Sequence, residues 1–321
     1  MHYSKTVYRP AFERDAALLQ VTAGCSYNRC AFCSMYQNTP FRVSPMEEIV
    51  EDLRELRAER DHIERVFLVN GDPMVLRTER LLQIAEEIHK ILPECQSIGC
   101  FCAIPNFYDK TVEDLKALKE AGFSDLNIGV ESGLDSVLDL LGKGYHAKDA
   151  YAQLTKLNQA GLPFSLNLIL GAQGNGQFHE LATANANLLN TVQPSLFFTT
   201  TLYAFPGTRL YDILYGGALF RGSLFTENTM ALLITEEHDL LSQLELTDTR
   251  FFGRHPSNPI PLDGHLPEDR EFLLSTLEKS LRVFPRELLC APPSRGAEGG
   301  VLYPEFFTTR PLHPEPGTGS V

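Results

Sequence analysis

The feature that most restricts what this chain can fold into is a regular alternation of short apolar runs with helix-period segments over its first two thirds. Ala17–Thr22 reads as a buried strand, and Arg65–Val69, Ser97–Cys102, Asp125–Val130, Phe164–Leu170 and Leu196–Leu202 repeat the type. A first helix is signalled by Ser44-Pro45-Met46-Glu47, read as an N-cap, a proline at the first helical position and a capping-box glutamate. Thr78 is read as the cap of a second helix, through Leu81, Leu82, Ala85 and Ile88. Further helices are expected over Val112–Ala121, Ser136–Leu141, Lys148–Ala160, Phe178–Thr191 and Thr208–Leu214. Six strands alternating with helices imply an α/β fold, a parallel sheet joined by right-handed crossovers. Such a sheet is either doubly wound or an incomplete barrel, and periodicity allows both. In each, ligands bind at the C-terminal ends of the strands. A cysteine cluster, Asn70–Pro73, Glu131 and Gly171 all fall at such ends.

After about residue 225 the pattern changes. Thr235–Leu246 and Pro267–Val283 read as amphipathic helices, separated by the polar loop His255-Pro256-Ser257-Asn258-Pro259. The chain from Pro292 is rich in proline and glycine and poor in buriable side chains, so a mobile tail is expected. The reading divides the chain into an N-terminal segment, 1–14, a core, 15–225, a helical extension, 226–290, and a tail, 291–321. With 43% hydrophobic and 21% charged residues the composition is that of a globular chain, not of a collagen, coiled coil or disordered segment. The longest apolar runs fall far short of the roughly 20 residues needed to span a bilayer, and Met1–Arg14 has no apolar stretch of the signal-peptide kind. A cytoplasmic location without membrane contact is therefore expected, where thiols stay reduced. The formal charge of −13 disfavours a nucleic-acid partner.

Three of the seven cysteines stand close together: Cys25, Cys30 and Cys33, a C-x4-C-x2-C pattern on the loop after the first strand. Thiolates so spaced can wrap one soft centre, zinc, copper(I) or an iron–sulfur cluster. Structural zinc takes a closed set of four ligands, as do plant-type ferredoxin clusters. Here no fourth ligand follows nearby, the next His and Cys being His62 and Cys95. Three thiolates on a four-iron cluster would leave one iron open. Cys95, Cys100, Cys102 and Cys290 show no tight spacing and read as small buried residues rather than a second cluster, with Cys100 and Cys102 expected to face the sheet interior.

These motifs resemble the radical S-adenosylmethionine (SAM) superfamily, in its Elp3-like and coproporphyrinogen dehydrogenase-like branches, over roughly residues 15–225. The resemblance implies a partial (β/α)6 parallel barrel. It also implies a [4Fe–4S] cluster on Cys25, Cys30 and Cys33, whose open iron chelates SAM. The family's usual first gap is three residues, and here it is four. Phe32 stands where the family places an aromatic whose backbone meets the adenine. Asn70-Gly71-Asp72-Pro73 resembles the Gly-Gly-Glu-Pro element that receives the SAM amino group, which points to Gly71 and Asp72. The Leu126–Gly133 signature implies cofactor contacts at Glu131 and Ser132. Lys143 falls where the family places a SAM-carboxylate arginine, and Asn167 matches a polar fifth-strand residue that reaches the cofactor. The loop with His255 and Asn258 resembles a segment of an Elp3-like subgroup; the two residues are candidates for the substrate pocket, against a competing reading as a locally bonded turn.

The function implied is reductive cleavage of SAM to a 5′-deoxyadenosyl radical that abstracts hydrogen from a small molecule or peptide, with an electron donor such as flavodoxin or ferredoxin. The alternative is a non-catalytic iron–sulfur or haem/metal carrier on the same fold. Coproporphyrinogen dehydrogenase activity is disfavoured because Met35 stands where that enzyme has a further cysteine. A tRNA-modifying role is disfavoured by the −13 charge.

Overall fold

The computed structural model describes residues 1–4, 6–215 and 225–294. In chain order, β1 (Ala17–Gln20) leads into the short β2 (Thr22–Ala23), which pairs with β3 (Arg42–Val43). The cysteines lie on the loop between β2 and β3. There follow α1 (Met46–Glu59), β4 (Arg65–Val69), α2 (Thr78–Ile91), β5 (Ser97–Cys102), α3 (Val112–Glu120) and β6 (Leu126–Glu131). Next come α4 (Asp135–Leu141), α5 (Ala147–Ala160), β7 (Phe164–Leu170), α6 (His179–Val192), β8 (Leu196–Thr201) and α7 (Arg209–Tyr215). The remainder is α8 (Met230–Ser242), β9 (Thr249–Phe252), β10 (Asp263–Leu266), α9 (Arg270–Val283) and α10 (Arg286–Leu289).

One eight-stranded sheet runs in the order β1-β4-β5-β6-β7-β8-β9-β10. All its pairs are parallel except β9 with β10. The six strands read from the sequence form its first six positions. The segment read as a helical extension adds a seventh parallel strand and an antiparallel edge, so its helices α8 and α9 come with sheet. The capping box expected at Ser44 does not form. Pro45 occupies the N-cap with no side-chain bond, and the Ser44 hydroxyl is buried without a partner. The expected mobile tail lies outside the described residues from 295 onward.

The two sheet faces differ. Leu19, Leu68, Cys100, Ile128, Leu166, Leu168 and Phe197 face the helices and join one large core with Leu53, Leu81, Leu115, Leu154 and Leu189. The alternate positions face the other way: Leu18 and Val69, Phe67 with Phe101 at 5.1 Å between ring centroids, Asn127 bonded to Ser165, and Phe198. The N-terminal segment crosses this second face. Tyr3 donates its hydroxyl to the Leu18 carbonyl, and Tyr3 and Val7 pack on Phe67 and Val69. Neighbouring residues Phe12 and Glu13 reach widely separated strands on this same face. Phe12 meets Phe198 and Phe252 on β8 and β9, at 5.5 and 5.6 Å, while Glu13 pairs with Arg65 on β4. Strands four places apart can be touched in this way only if the sheet curls, which makes it an open barrel with the N-terminal segment inside its concave face. No pairing joins β1 to β10 among the described residues.

Candidate metal and cofactor site at the strand ends

The C-terminal ends of β1, β4, β6 and β7 open on one mouth, and the cysteine loop lies over it. Two of its residues pin the loop to its surroundings. Ala31 donates its N–H to the Leu141 carbonyl at 2.7 Å and accepts at its carbonyl from the Leu210 N–H at 2.8 Å. Tyr27 donates its hydroxyl to the Gly142 carbonyl at 2.8 Å. A third brace comes from Asp72, whose carboxylate accepts from the Ser26 N–H at 2.9 Å, from the Ser26 hydroxyl and from Asn106. Gly71, at φ 140°, lets this turn approach, because a Cβ there would stand 2.2 Å from the Gly24 carbonyl oxygen.

Cys25, Cys30 and Cys33 are all half-buried and outside any disulfide. Burial pushes each thiol pKa up, helped at Cys25 by Asp72 and opposed at Cys30 by Lys143. Each of the three feels the charge of another: Cys25 of Cys30, Cys30 of Cys33, Cys33 of Cys25. Among the described residues no three His, Cys, Asp or Glu side chains converge on one point as a single ion requires. A cubane cluster makes no such demand, since each thiolate binds its own iron. The donor set, three thiols on one pinned loop with cationic Lys143 nearby, fits a cluster better than a lone ion.

Beside the loop, Glu131, Lys143 and Asn167 form one network. Lys143 Nζ lies 3.1 Å from Glu131 Oε1 and donates to the Gly129 carbonyl at 2.8 Å. Asn167 donates to Glu131 Oε2 at 2.6 Å. Glu131 sits at φ 71° beside a bulge between β6 and β7, a strained conformation of the kind that clusters at functional sites. Gly129 leaves room for its carboxylate, for a Cβ there would lie 2.6 Å from Oε1. Burial alone would lower the Lys143 pKa, but Glu131, Tyr145 and Cys30 outweigh it and hold the ammonium charged. Its third N–H has no partner among the described residues. Phe32 lies 6.0 Å from this ammonium, ring centroid to Nζ.

The structure thus brings together Cys25, Cys30, Cys33, Phe32, Gly71, Asp72, Glu131, Lys143 and Asn167. Ser132 is adjacent but turned into the fold, its hydroxyl accepting from the Leu134 N–H at 2.9 Å. His255 and Asn258 are not brought to the network. The buried Asn258 amide donates to the Thr199 and Gly253 carbonyls and accepts from the Thr201 hydroxyl, on the helix-facing side of β8. His255 bonds Ser257, the competing reading of that loop. Cys100 and Cys102 also face the helical layer rather than the interior, because they continue the side on which their register partners Leu68 and Ile128 pack. Their sulfurs are 3.5 Å apart. Ser26, Tyr27 and Tyr145 escaped the sequence reading. Each is an ordinary polar or aromatic residue whose role depends on a partner distant in the chain, and only the position of Tyr27 and Ser26 inside the cysteine motif hinted at one.

A sequence family described as the radical SAM superfamily matches residues 19–183, about half the chain. The heme chaperone HemW of Bacillus subtilis is 24% identical over 197 residues, 59% of this chain and 51% of that protein. The tRNA-2-methylthio-N(6)-dimethylallyladenosine synthase of Idiomarina loihiensis is 24% identical over 214 residues, 64% of this chain and 43% of that protein. The chain therefore spans about half the length of the curated relatives it matches. An N-terminally shortened Elp3 from the archaeon Methanocaldococcus infernus superposes with a TM-score of 0.51 at 15% identity, covering 86% of this chain and 64% of its own, a likeness of fold alone. No described helix is long and apolar enough to cross a membrane.

Proposed function

The chain belongs to the radical SAM superfamily, whose cofactors are a [4Fe–4S] cluster and SAM; from that premise we propose that it is an enzyme using both on a small-molecule or peptide substrate. Cys25, Cys30 and Cys33 would hold the cluster. When bound, it supplies the electron that cleaves SAM to a 5′-deoxyadenosyl radical able to abstract hydrogen. The chain's own residues orient and shield. Lys143 would meet the SAM carboxylate as a single point charge rather than an arginine fork. Glu131 and Asn167 hold that ammonium in place, and Gly71 with the Asp72 turn presents backbone to the SAM amino group. The Phe32 backbone would meet the adenine, and Ser132 would act through the turn that fixes Glu131.

One observation carries this reading: the buried Lys143–Glu131–Asn167 network at the strand ends lies within electrostatic reach of Cys30. Anaerobic reconstitution with iron and sulfide, then dithionite and SAM, should yield 5′-deoxyadenosine. A loaded protein that makes none would overturn it. A second reading, a haem or metal carrier on the same fold, is favoured by the likeness to a heme chaperone. It predicts SAM binding without turnover and stoichiometric haem uptake, both measurable by titration. An electron donor of the flavodoxin or ferredoxin kind is required by the first reading, and a cytoplasmic location is consistent with both.

A further inference from the structure

The segment that carries the cysteines has an unusual charge. Between Asp15 and Glu47 there is no acidic residue, and the only charged side chains are Arg29 and Arg42, in a chain with 41 acidic residues and a net charge of −13. Arg29 and Arg42 are exposed, as is Arg209, next to the Leu210 N–H that bonds the cysteine loop at Ala31.

The same segment carries exposed apolar surface. Phe41 and Val43, 40% and 41% exposed, flank Arg42 on β3. β3 pairs with β2 through Ala23 with Arg42 and Thr22 with Val43, so Phe41 lies across the hairpin from Gly24, the residue before Cys25. The Thr39 and Pro40 carbonyls approach Gly24 so closely that a Cβ there would lie 2.5 Å from the first and 2.8 Å from the second. An apolar pair on an exposed two-stranded edge, with arginines around it and a thiol immediately behind, is not what a solvated hairpin needs. Glu48 at 2.9 Å offsets Arg42 only in part, so Arg42 adds to the field of Arg29 and Arg209 while the apolar pair supplies contact area.

Resting on the reading above, we propose that Phe41, Arg42, Val43 and Arg29 form the docking surface for a small acidic one-electron carrier of the flavodoxin or ferredoxin class. Electron transfer falls steeply with distance, so a donor must sit over the cysteine loop, and this hairpin is an exposed apolar surface next to Cys25. In the step it serves, the carrier loses one electron and the cluster on the cysteines gains it. An acidic carrier is repelled by the rest of a −13 surface and attracted here, which selects both the partner and its orientation. The interface expected is small and weak, as in other electron-transfer encounters.

The test is binding of oxidised flavodoxin to the reconstituted full chain, followed by fluorescence anisotropy, which needs no turnover. Phe41→Glu and Arg42→Glu should each weaken binding about tenfold, roughly 1.4 kcal/mol. Raising salt from about 0.05 M to about 0.3 M should weaken the parent similarly. Val283→Glu, at a still more exposed apolar residue on α9, should leave binding unchanged. Dithionite-driven formation of 5′-deoxyadenosine should stay within about twofold in every variant. Should Phe41→Glu lose that rate, it has disturbed the loop, and Arg42→Glu with Arg29→Glu decide the matter. Flavodoxin bound equally by parent and variants overturns the docking surface, as does a chain dimer that Phe41→Glu dissociates. Absence of dithionite-driven cleavage in the parent overturns the proposed function instead, a result the binding measurement separates from loss of docking.

Discussion

At the residue scale, Glu131 and Lys143 are each 93% buried at the side chain, at 7% exposure, so neither charge can stand without the other. Breaking such a pair from one side costs about 3–5 kcal/mol, because it leaves an unpaired ion in low dielectric. Lys143→Met is therefore expected to cost the iron-free chain about 3 kcal/mol in urea unfolding. Adding Glu131→Leu should recover most of that loss, whereas strictly additive costs would show that the two do not act as a pair. Gly71→Ala is a second case. Its backbone at φ 140° suits only glycine, and its Cβ would drive the Asp72 turn off Gly24. We expect iron loading to fall severalfold, measured as iron per chain after reconstitution, with unfolding free energy lower by about 2 kcal/mol. Glu131 and Gly71 were legible in the sequence through the motifs around them. That Asp72 spends its carboxylate on Ser26 was not, for no local pattern shows which distant N–H an acid will accept from.

Elements of the sheet were legible where they were long and rich in apolar or β-branched residues. Phe164–Leu170 and Leu196–Thr201 emerged almost at their observed bounds. β9 and β10 did not, since Thr249–Phe252 is only four residues long and Asp263–Leu266 includes Asp and Gly, residues depleted in strands. Their pairing comes from neighbours: β9 completes the parallel ladder along β8, and Phe251 stacks on Phe197 at 4.9 Å. α8 starts at Met230, five residues before the expected helix, because the Thr229 hydroxyl caps it by accepting from the Leu232 N–H. Its adjacent acids Glu236 and Glu237 would ordinarily signal a solvated face, yet both are buried. Glu236 accepts from the Gly171 N–H at 2.9 Å, and Glu237 accepts from the Thr199 hydroxyl at 2.8 Å. Burial pushes the Glu237 pKa from its ordinary 4.5 up to about 8. The folded chain then keeps this proton up to about pH 8 while the unfolded chain releases it near 4.5, so stability falls as pH rises through that window. Glu237→Gln keeps the acceptor for Thr199 and removes the titration. Relative to the parent it should be more stable by about 2 kcal/mol at pH 8 and close to equal at low pH. Urea midpoints at both ends of the window measure this, and an unchanged pH slope would place its source elsewhere.

On the scale of the whole molecule, the two ends of the barrel carry different duties. The mouth at the C-terminal strand ends holds the cysteines and the Lys143 network. A cavity of about 480 Å³ opens at the other end among Phe12, Glu13, Arg65, Asp125, Ser165 and Arg250. At that end the groups pair with one another. Arg65 donates to both Glu13 oxygens, including 2.7 Å from Nε to Oε2, and to Ser97 at 3.1 Å, joining the N-terminal segment to β4 and β5. In folds built on parallel strands this end serves stability, and the opposite end serves chemistry. The two should therefore separate experimentally. Arg65→Ala strands the buried Glu13 and is expected to cost about 3 kcal/mol, leaving iron content and SAM affinity of the folded fraction unchanged. Replacing Cys25, Cys30 and Cys33 together by serine should do the reverse: iron content near zero and an iron-free unfolding midpoint close to that of the iron-free parent. Residual iron in that variant would mean a second site, yet Cys100 and Cys102 are enclosed by the helical core and Cys290 is exposed beyond α10, so no iron is expected to remain.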